Sequence, residues 1–192
     1  MRIGIYGGTF NPIHFGHIGM ALWTLTHTDL DELWLMVTPG NPLKDGEELA
    51  RNEQERLRKA RLVIEKTVAE HEAELQGKRL RVSDFEYALP RPSYTAQTLR
   101  ALQKIYPQTQ WSLLIGQDNF FCFKRWREWE WIVRTFPVMV YPRKGYKPVN
   151  MDFQPCADDF LNLTFLADAP SFDISSSQLR EEKHRKDSFS LA

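Results

Sequence analysis

Two histidines three residues apart, His14 and His17, stand between a glycine pair and the start of a helical pattern. The run is Gly7-Gly8-Thr9-Phe10-Asn11-Pro12-Ile13-His14-Phe15-Gly16-His17. An imidazole titrates near neutrality, and its ring nitrogens donate or accept hydrogen bonds according to protonation. Gly7 and Gly8 let a backbone turn sharply or come close to a ligand. Pro12 bars a helix from running through the turn, and a helix start presents unpaired N–H groups that suit an anion. Three tasks fit the pair. The rings could hold the oxygens of a phosphate chain as charge builds on them, serve as helix-capping core residues, or ligate a metal. No third ligand lies at a usual spacing for the last task. The first expectation is a phosphate-handling site at residues 7–17.

Other chemistries find less support. Glycines 4, 7 and 8 do not form GxGxxG, and no acidic residue follows at the distance a bound ribose would need, which disfavours a hydride-transfer dinucleotide fold. A lysine-bearing phosphate loop is absent. Cys122 and Cys156 share no metal-ligand spacing and read as free thiols of a reducing compartment. With 25 acidic and 25 basic residues among 192, the net charge is zero, so neither a nucleic-acid coat nor a membrane-attracted surface is indicated. The N-terminus lacks the pattern of a secretory signal, and no apolar run approaches spanning length. A cytoplasmic protein of one domain is expected, with 42% hydrophobic residues ordinary for a globular core.

The elements that must position these residues follow from period and punctuation. Arg2 to Tyr6 alternates isoleucines as a strand does. Residues 15–28 carry Ile18, Ala21, Leu22 and Leu25 on one helical face. Further strands are expected at 33–38, 80–85, 111–115, 138–141 and 161–166. A charged helix over 53–70 has Leu57, Ala60, Ile64 and Val68 as its stripe, and its many charges read as a solvated face. A helix at 94–105 has Ser93 as its N-cap, residues 120–135 are helical in pieces, and a last helix spans 173–185. Alternating strands and helices predict a Rossmann-like, doubly wound, mostly parallel sheet flanked by helices. Ligands of such folds lie beyond the carboxyl ends of the strands. That rule gathers residues 7–17, 39–44, 116–118 and 173–180 into one site.

The first stretch resembles the GTFxPxHxGH signature of the nucleotidylyltransferase superfamily. Ile174-Ser175-Ser176-Ser177-Gln178-Leu179-Arg180 resembles its second signature, ISSTxIR, with Ser177 and Leu179 where Thr and Ile are usual. The nicotinate-mononucleotide adenylyltransferase branch is closer still. Its matches are the Pro-rich loop Asn41 to Lys44, Ser93-Tyr94-Thr95 with Thr98-Leu99, Gly116-Gln117-Asp118 with Trp126, and Arg143-Lys144-Gly145-Tyr146. The resemblance spans roughly residues 1–180 of a domain covering 1–192, and the tail 181–192 is short, charged and atypical.

That resemblance implies a transfer of AMP from ATP to nicotinate mononucleotide, giving nicotinate adenine dinucleotide and pyrophosphate, a step of NAD biosynthesis. His14, His17 and Arg180 would be catalytic. Gly8, Thr9, Phe10, His17, Gly116, Asp118, Ile174, Ser176 and Arg180 would bind ATP. Asn41, Lys44, Tyr94, Thr95 and Trp126 would bind the mononucleotide, with Trp126 stacking on the pyridine ring. Mg²⁺ would be carried on the phosphates of ATP, with no protein metal site. Rival readings are transfer to nicotinamide mononucleotide or another phosphate substrate, and a catalytically silent nucleotide-binding module. The pantetheine-phosphate branch usually has Thr where His14 stands, and cytidylyltransferases usually replace the serine motif.

Overall fold

Alternation of apolar side chains divides one sheet between two cores. The computed structural model describes residues 1–40, 52–143, 162–172, 174, 176 and 179. Six strands are present among them: β1 (Arg2–Gly8), β2 (Glu32–Val37), β3 (Arg79–Ser83), β4 (Gln110–Gly116), β5 (Val138–Tyr141) and β6 (Leu163–Phe165). All neighbours are parallel, in the order β3-β2-β1-β4-β5-β6. This is the doubly wound order whose direction reverses between β1 and β4, opening a crevice at their carboxyl ends.

Residues of opposite parity point to opposite faces. Tyr6, Leu33, Leu35, Val37, Leu114, Met139 and Tyr141 join one core. Ile3, Ile5, Met36, Trp111, Leu113, Ile115, Val138 and Val140 join the other. The first core is closed by α1 (Phe15–His27), α2 (Glu53–Glu70) and the short α3 (Glu72–Leu75) through Met20, Ala21, Leu25, Leu57, Ala60, Ile64 and Leu75. The second is closed by α4 (Thr95–Ile105) and α6 (Trp129–Thr135) through Ala96, Leu99, Leu102, Ile132 and Val133. Between β4 and α6 run α5 (Gln117–Phe121) and a 3₁₀ turn, Phe123–Arg125. Each fully buried Leu contributes roughly 1.5–3 kcal/mol. Gly4 is required where it stands: a Cβ there would lie 2.7 Å from both Leu30 Cδ1 and Leu33 Cδ1.

Several expectations shift. β1 continues through Gly7 and Gly8, so the glycines end the strand instead of following it. The buried face of α1 is rotated toward Met20 and Thr24, leaving Ile18 and Leu22 half-buried. The third strand stops at Ser83, and Phe85–Ala88 forms a 3₁₀ turn. Tyr94, not Ser93, is the N-cap of α4, and the buried Ser93 hydroxyl makes no hydrogen bond among the described residues. The charged face of α2 is not wholly solvated, because Arg56 is 3% exposed. Of the helix expected over 173–185, Ser176 and Leu179 are described and helical. Asn41, Lys44, Arg180 and Cys156 lie outside the described residues, as does the tail 181–192.

Glu32 shows how a charge is tolerated in this sheet. Its carboxylate is fully buried at the start of β2, where Arg79 reaches it at 3.0 Å, Arg81 bonds it closely and the Trp34 indole donates at 2.7 Å. A buried carboxylate survives only when paired and hydrogen-bonded in this way.

Candidate active site

The crevice between β1 and β4 is built first by what happens after Gly8. Phe10 adopts φ 44°, a left-handed state that non-glycine residues hold only when their surroundings fix it. Its ring is fixed edge-on against Tyr6 at 5.4 Å and His17 at 5.0 Å. From there Pro12 and Ile13 lead to His14, the N-cap of α1, with His17 at the third helical position.

The His14 backbone N–H donates to His17 Nδ1 at 3.3 Å. That bond caps one orphan donor of the helix start and makes Nδ1 the acceptor, so the proton of a neutral His17 ring sits on Nε2. The two rings stack at 3.7 Å with 29° between planes. Both ring nitrogens of His14 are buried and make no hydrogen bond among the described residues. Burial, aided by the nearby Arg143 guanidinium, pushes the His14 pKa down to about 4, so the ring is neutral at physiological pH. Of the roles weighed from sequence, helix capping is the one that His17 fills, through Nδ1.

Across the crevice, β4 ends at Gly116. A Cβ on Gly116 would collide with the Asp118 carboxylate, so the glycine lets that carboxylate fold back over the strand end. Asp118 pairs with Arg143 at 3.2 Å. Arg143, after β5, also donates to the Ile174 carbonyl at 3.4 Å, while its backbone N–H donates to Gln117 Oε1 at 3.1 Å. Ile174 in turn covers Gly16, where a Cβ would lie 2.7 Å from its Cγ2, and Phe172 covers Gly19 more closely still. Ser176 donates its hydroxyl to the Pro12 carbonyl at 3.0 Å. The two signature stretches, some 160 residues apart in sequence, thus meet on the first turns of α1 (Pro12 to Ser176, a separation of 164).

A cavity opens on the other side of Gly8 and Thr9. Its walls include Thr38, Glu86, Tyr94, Thr95, Asn119 and Trp126, with Arg125 and Arg127 at the mouth. Trp126 leans on Phe123 at 5.2 Å, and the Arg127 guanidinium lies 5.0 Å over the Tyr94 ring. Glu86 is 6% exposed and accepts the Thr98 hydroxyl at 2.8 Å, and burial raises its carboxyl pKa. Tyr94, Thr95 and Trp126 therefore come together in one cavity with Gly8 and Thr9. His14, His17, Gly116, Asp118, Ile174 and Ser176 gather beside it, on the α1 side.

Sequence reasoning gave no role to Arg143, Glu86 or Arg56. Arg143 stands inside Arg143-Lys144-Gly145-Tyr146, a match to the resembled branch that carries no role of its own. Glu86 carries no signal of its own in the sequence, and Arg56 reads as one more charge on an amphipathic helix.

Comparison with known proteins gives the family. The cytidylyltransferase-like family matches residues 5–182. A probable nicotinate-nucleotide adenylyltransferase of Bacteroides fragilis is 42% identical over 180 residues, covering 94% of this chain and 81% of the relative. Its counterpart in Bacteroides thetaiotaomicron is 39% identical, covering 97% and 83%. Among solved structures, the Plasmodium falciparum nicotinic acid mononucleotide adenylyltransferase complexed with NaAD superposes with a TM-score of 0.68 at 16% identity, covering 94% of this chain and 82% of that one. The last likeness shows the fold alone, a Rossmann-like parallel sheet flanked by helices. The chain belongs to the cytidylyltransferase-like family. Within it, the chain falls in the nicotinate-nucleotide adenylyltransferase branch.

Proposed function

We infer that the protein transfers the adenylyl group of ATP to nicotinate mononucleotide, releasing pyrophosphate and forming nicotinate adenine dinucleotide. The observation that carries this reading is the meeting of two half-sites at Gly8 and Thr9: a corner of stacked imidazoles at a helix start, and a cavity walled by Tyr94, Thr95 and Trp126. In the reaction a phosphate oxygen of the mononucleotide attacks the α-phosphorus of ATP. One P–O bond forms, the bond to the β-phosphate breaks, and pyrophosphate leaves with the electron pair. The nucleophile is already an anion, so no general base is needed. Alignment of the two phosphates supplies roughly 7–11 kcal/mol of barrier reduction.

On this reading His17 Nε2–H and the neutral His14 ring line the triphosphate, beside the backbone N–H groups of Gly8, Thr9 and Phe10. His17 donates to oxygen as negative charge grows there. Gly116, Asp118 and Ile174 border the adenosine, Ser176 joins the first loop to the last segment, and Arg180 completes the triphosphate contacts. Asn41 and Lys44 take the mononucleotide phosphate. Tyr94 and Thr95 meet the ring carboxylate through backbone donors, and Trp126 stacks on the ring. Positive charge from Arg125 and Arg127 at the cavity mouth favours an acid over an amide.

Enzymes of this kind use a divalent cation with ATP, and Mg²⁺ is the ion we assign. The corner offers mainly N–H donors, and the nearby Asp118 carboxylate is engaged by Arg143. Those groups suit phosphate oxygens, so the ion fits as a passenger on the triphosphate, where it neutralises part of the charge. No described helix is long and apolar enough to cross a membrane, and cytoplasmic action remains part of the same reading.

The test is pyrophosphate release from ATP and Mg²⁺ with a panel of mononucleotides. Turnover is expected with nicotinate mononucleotide and none with ATP alone. Equal turnover with nicotinamide mononucleotide would remove the acid preference, and ATP binding without turnover on any partner would leave a silent binding module.

A further inference from the structure

Arg56 lies at the end of the first turn of α2, at 3% exposure, and its guanidinium spans two loops. One terminal nitrogen donates to the Thr9 carbonyl at 2.5 Å and to the Thr38 carbonyl at 2.9 Å. The other donates to the Pro39 carbonyl at 2.8 Å. The first carbonyl belongs to the loop after β1 and the other two to the loop after β2. We propose that Arg56 is a positioning residue for adenylyl transfer, holding the loop that receives the triphosphate in register with the loop that leads to the mononucleotide phosphate site. This proposal rests on the function inferred above.

Three physical points support it. The Thr9 carbonyl and the Phe10 N–H belong to one planar peptide unit and point in opposite directions. A charge-assisted bond on the carbonyl polarises the unit and makes the N–H a stronger donor toward an anion. Next, that same peptide precedes Phe10, whose φ of 44° needs constraint from outside. Its ring is held by Tyr6 and His17, and Arg56 holds the other side of the backbone. Finally, the loops already touch, since the Thr38 N–H donates to the Gly8 carbonyl at 2.9 Å. One planar fork binding both sides of that contact fixes their separation. A guanidinium does this, whereas an ammonium is a single point with a shorter reach.

The experiment compares R56K, R56M and, as a control for lost stability, I64A. Ile64 is a core residue of the same helix, and its hydrocarbon side chain can make no hydrogen bond to either loop. Thermal unfolding is measured first, then ATP affinity by direct titration without a mononucleotide, then kcat and both KM values. For R56M we expect ATP affinity to fall about tenfold and kcat about a hundredfold, the scale of a small misplacement of reacting groups. R56K should recover part of kcat. I64A should lose stability yet keep wild-type ATP affinity and kcat well below its Tm. Wild-type kcat and ATP affinity in R56M, or equal losses in I64A, would overturn the proposal. The ATP titration keeps the two claims separate: failure of the wild type to use nicotinate mononucleotide sinks the function reading, while the effect of Arg56 on ATP affinity is read without it.

Discussion

The two halves of the site are built on opposite terms. In the phosphate corner Phe10, His14 and His17 are 3, 8 and 9% exposed, and every ring leans on another. In the ring cavity Tyr94, Thr95 and Trp126 are half-buried and Arg125 and Arg127 exposed. Donors fixed in a place from which water is excluded act strongly on charge that develops during a reaction, and they need no rearrangement when it does. A half-open aromatic wall suits recognition, because stacking tolerates hydration and small shifts of the ligand. Under the proposed function, the contrast would assign rate to the corner and affinity for the second substrate to the cavity. Substitutions can break that assignment.

The largest effect is expected from His17→Ala. It removes the Nε2–H donor, and loss of one such donor lowers kcat by about 10²–10³. ATP should still bind within a few-fold, as the backbone N–H groups remain. The lost cap on the His14 N–H costs on the order of 1 kcal/mol, so unfolding is measured alongside turnover. If ATP affinity collapses while kcat at saturation survives, the corner is a binding device and the contrast fails.

Trp126→Ala should act on the other axis. Base–aromatic stacking is worth about 1–3 kcal/mol, so the KM for nicotinate mononucleotide should rise roughly 5- to 150-fold. ATP affinity and saturating kcat should change little, and Trp126→Phe should keep most of the wild-type KM. The structural alternative, that Trp126 only packs on Phe123, requires a lower Tm with an unchanged KM.

How far the site was legible in the sequence follows the same division. Period-two alternation with Gly or Pro punctuation placed the strands, and a stripe at spacings of three and four placed the helix at 53–70, because these rules are local. His14 and His17 were visible because a pair of imidazoles after Gly-Gly has few bland uses. Phe10 gave no hint of its left-handed backbone, since that state is imposed by Tyr6 and His17. Arg56 was hidden for a different reason: from periodicity a charge beside an apolar stripe looks solvated, and the carbonyls that bury it come from strand ends 17 to 47 residues away. Arg143 was hidden likewise, its contacts with Asp118 and Ile174 being properties of the sheet order. Asn41 to Lys44 aside, which the described residues do not include, what sequence missed was long-range.

The finest test uses pH, because burial makes the halves titrate with opposite sign. His14 falls from an ordinary 6.5 to about 4 through burial, so below 6.5 the unfolded chain takes up a proton that the folded chain refuses. Its contribution to stability is complete above 6.5 and is lost as pH falls through 4, on the order of 3 kcal/mol in total. Glu86 is raised by burial, so above its unfolded value of 4.5 the folded chain keeps a proton that the unfolded chain has released. Its contribution is present at low pH and is lost as pH rises through the folded pKa. Urea unfolding across pH 4–8 should therefore show His14→Gln with a shallower loss on the acid side than wild type. Glu86→Gln, which can still accept the Thr98 hydroxyl, should show a shallower loss on the alkaline side. Parallel curves for all three proteins would mean that neither group is desolvated as its surroundings require. The corner would then owe its chemistry to geometry alone.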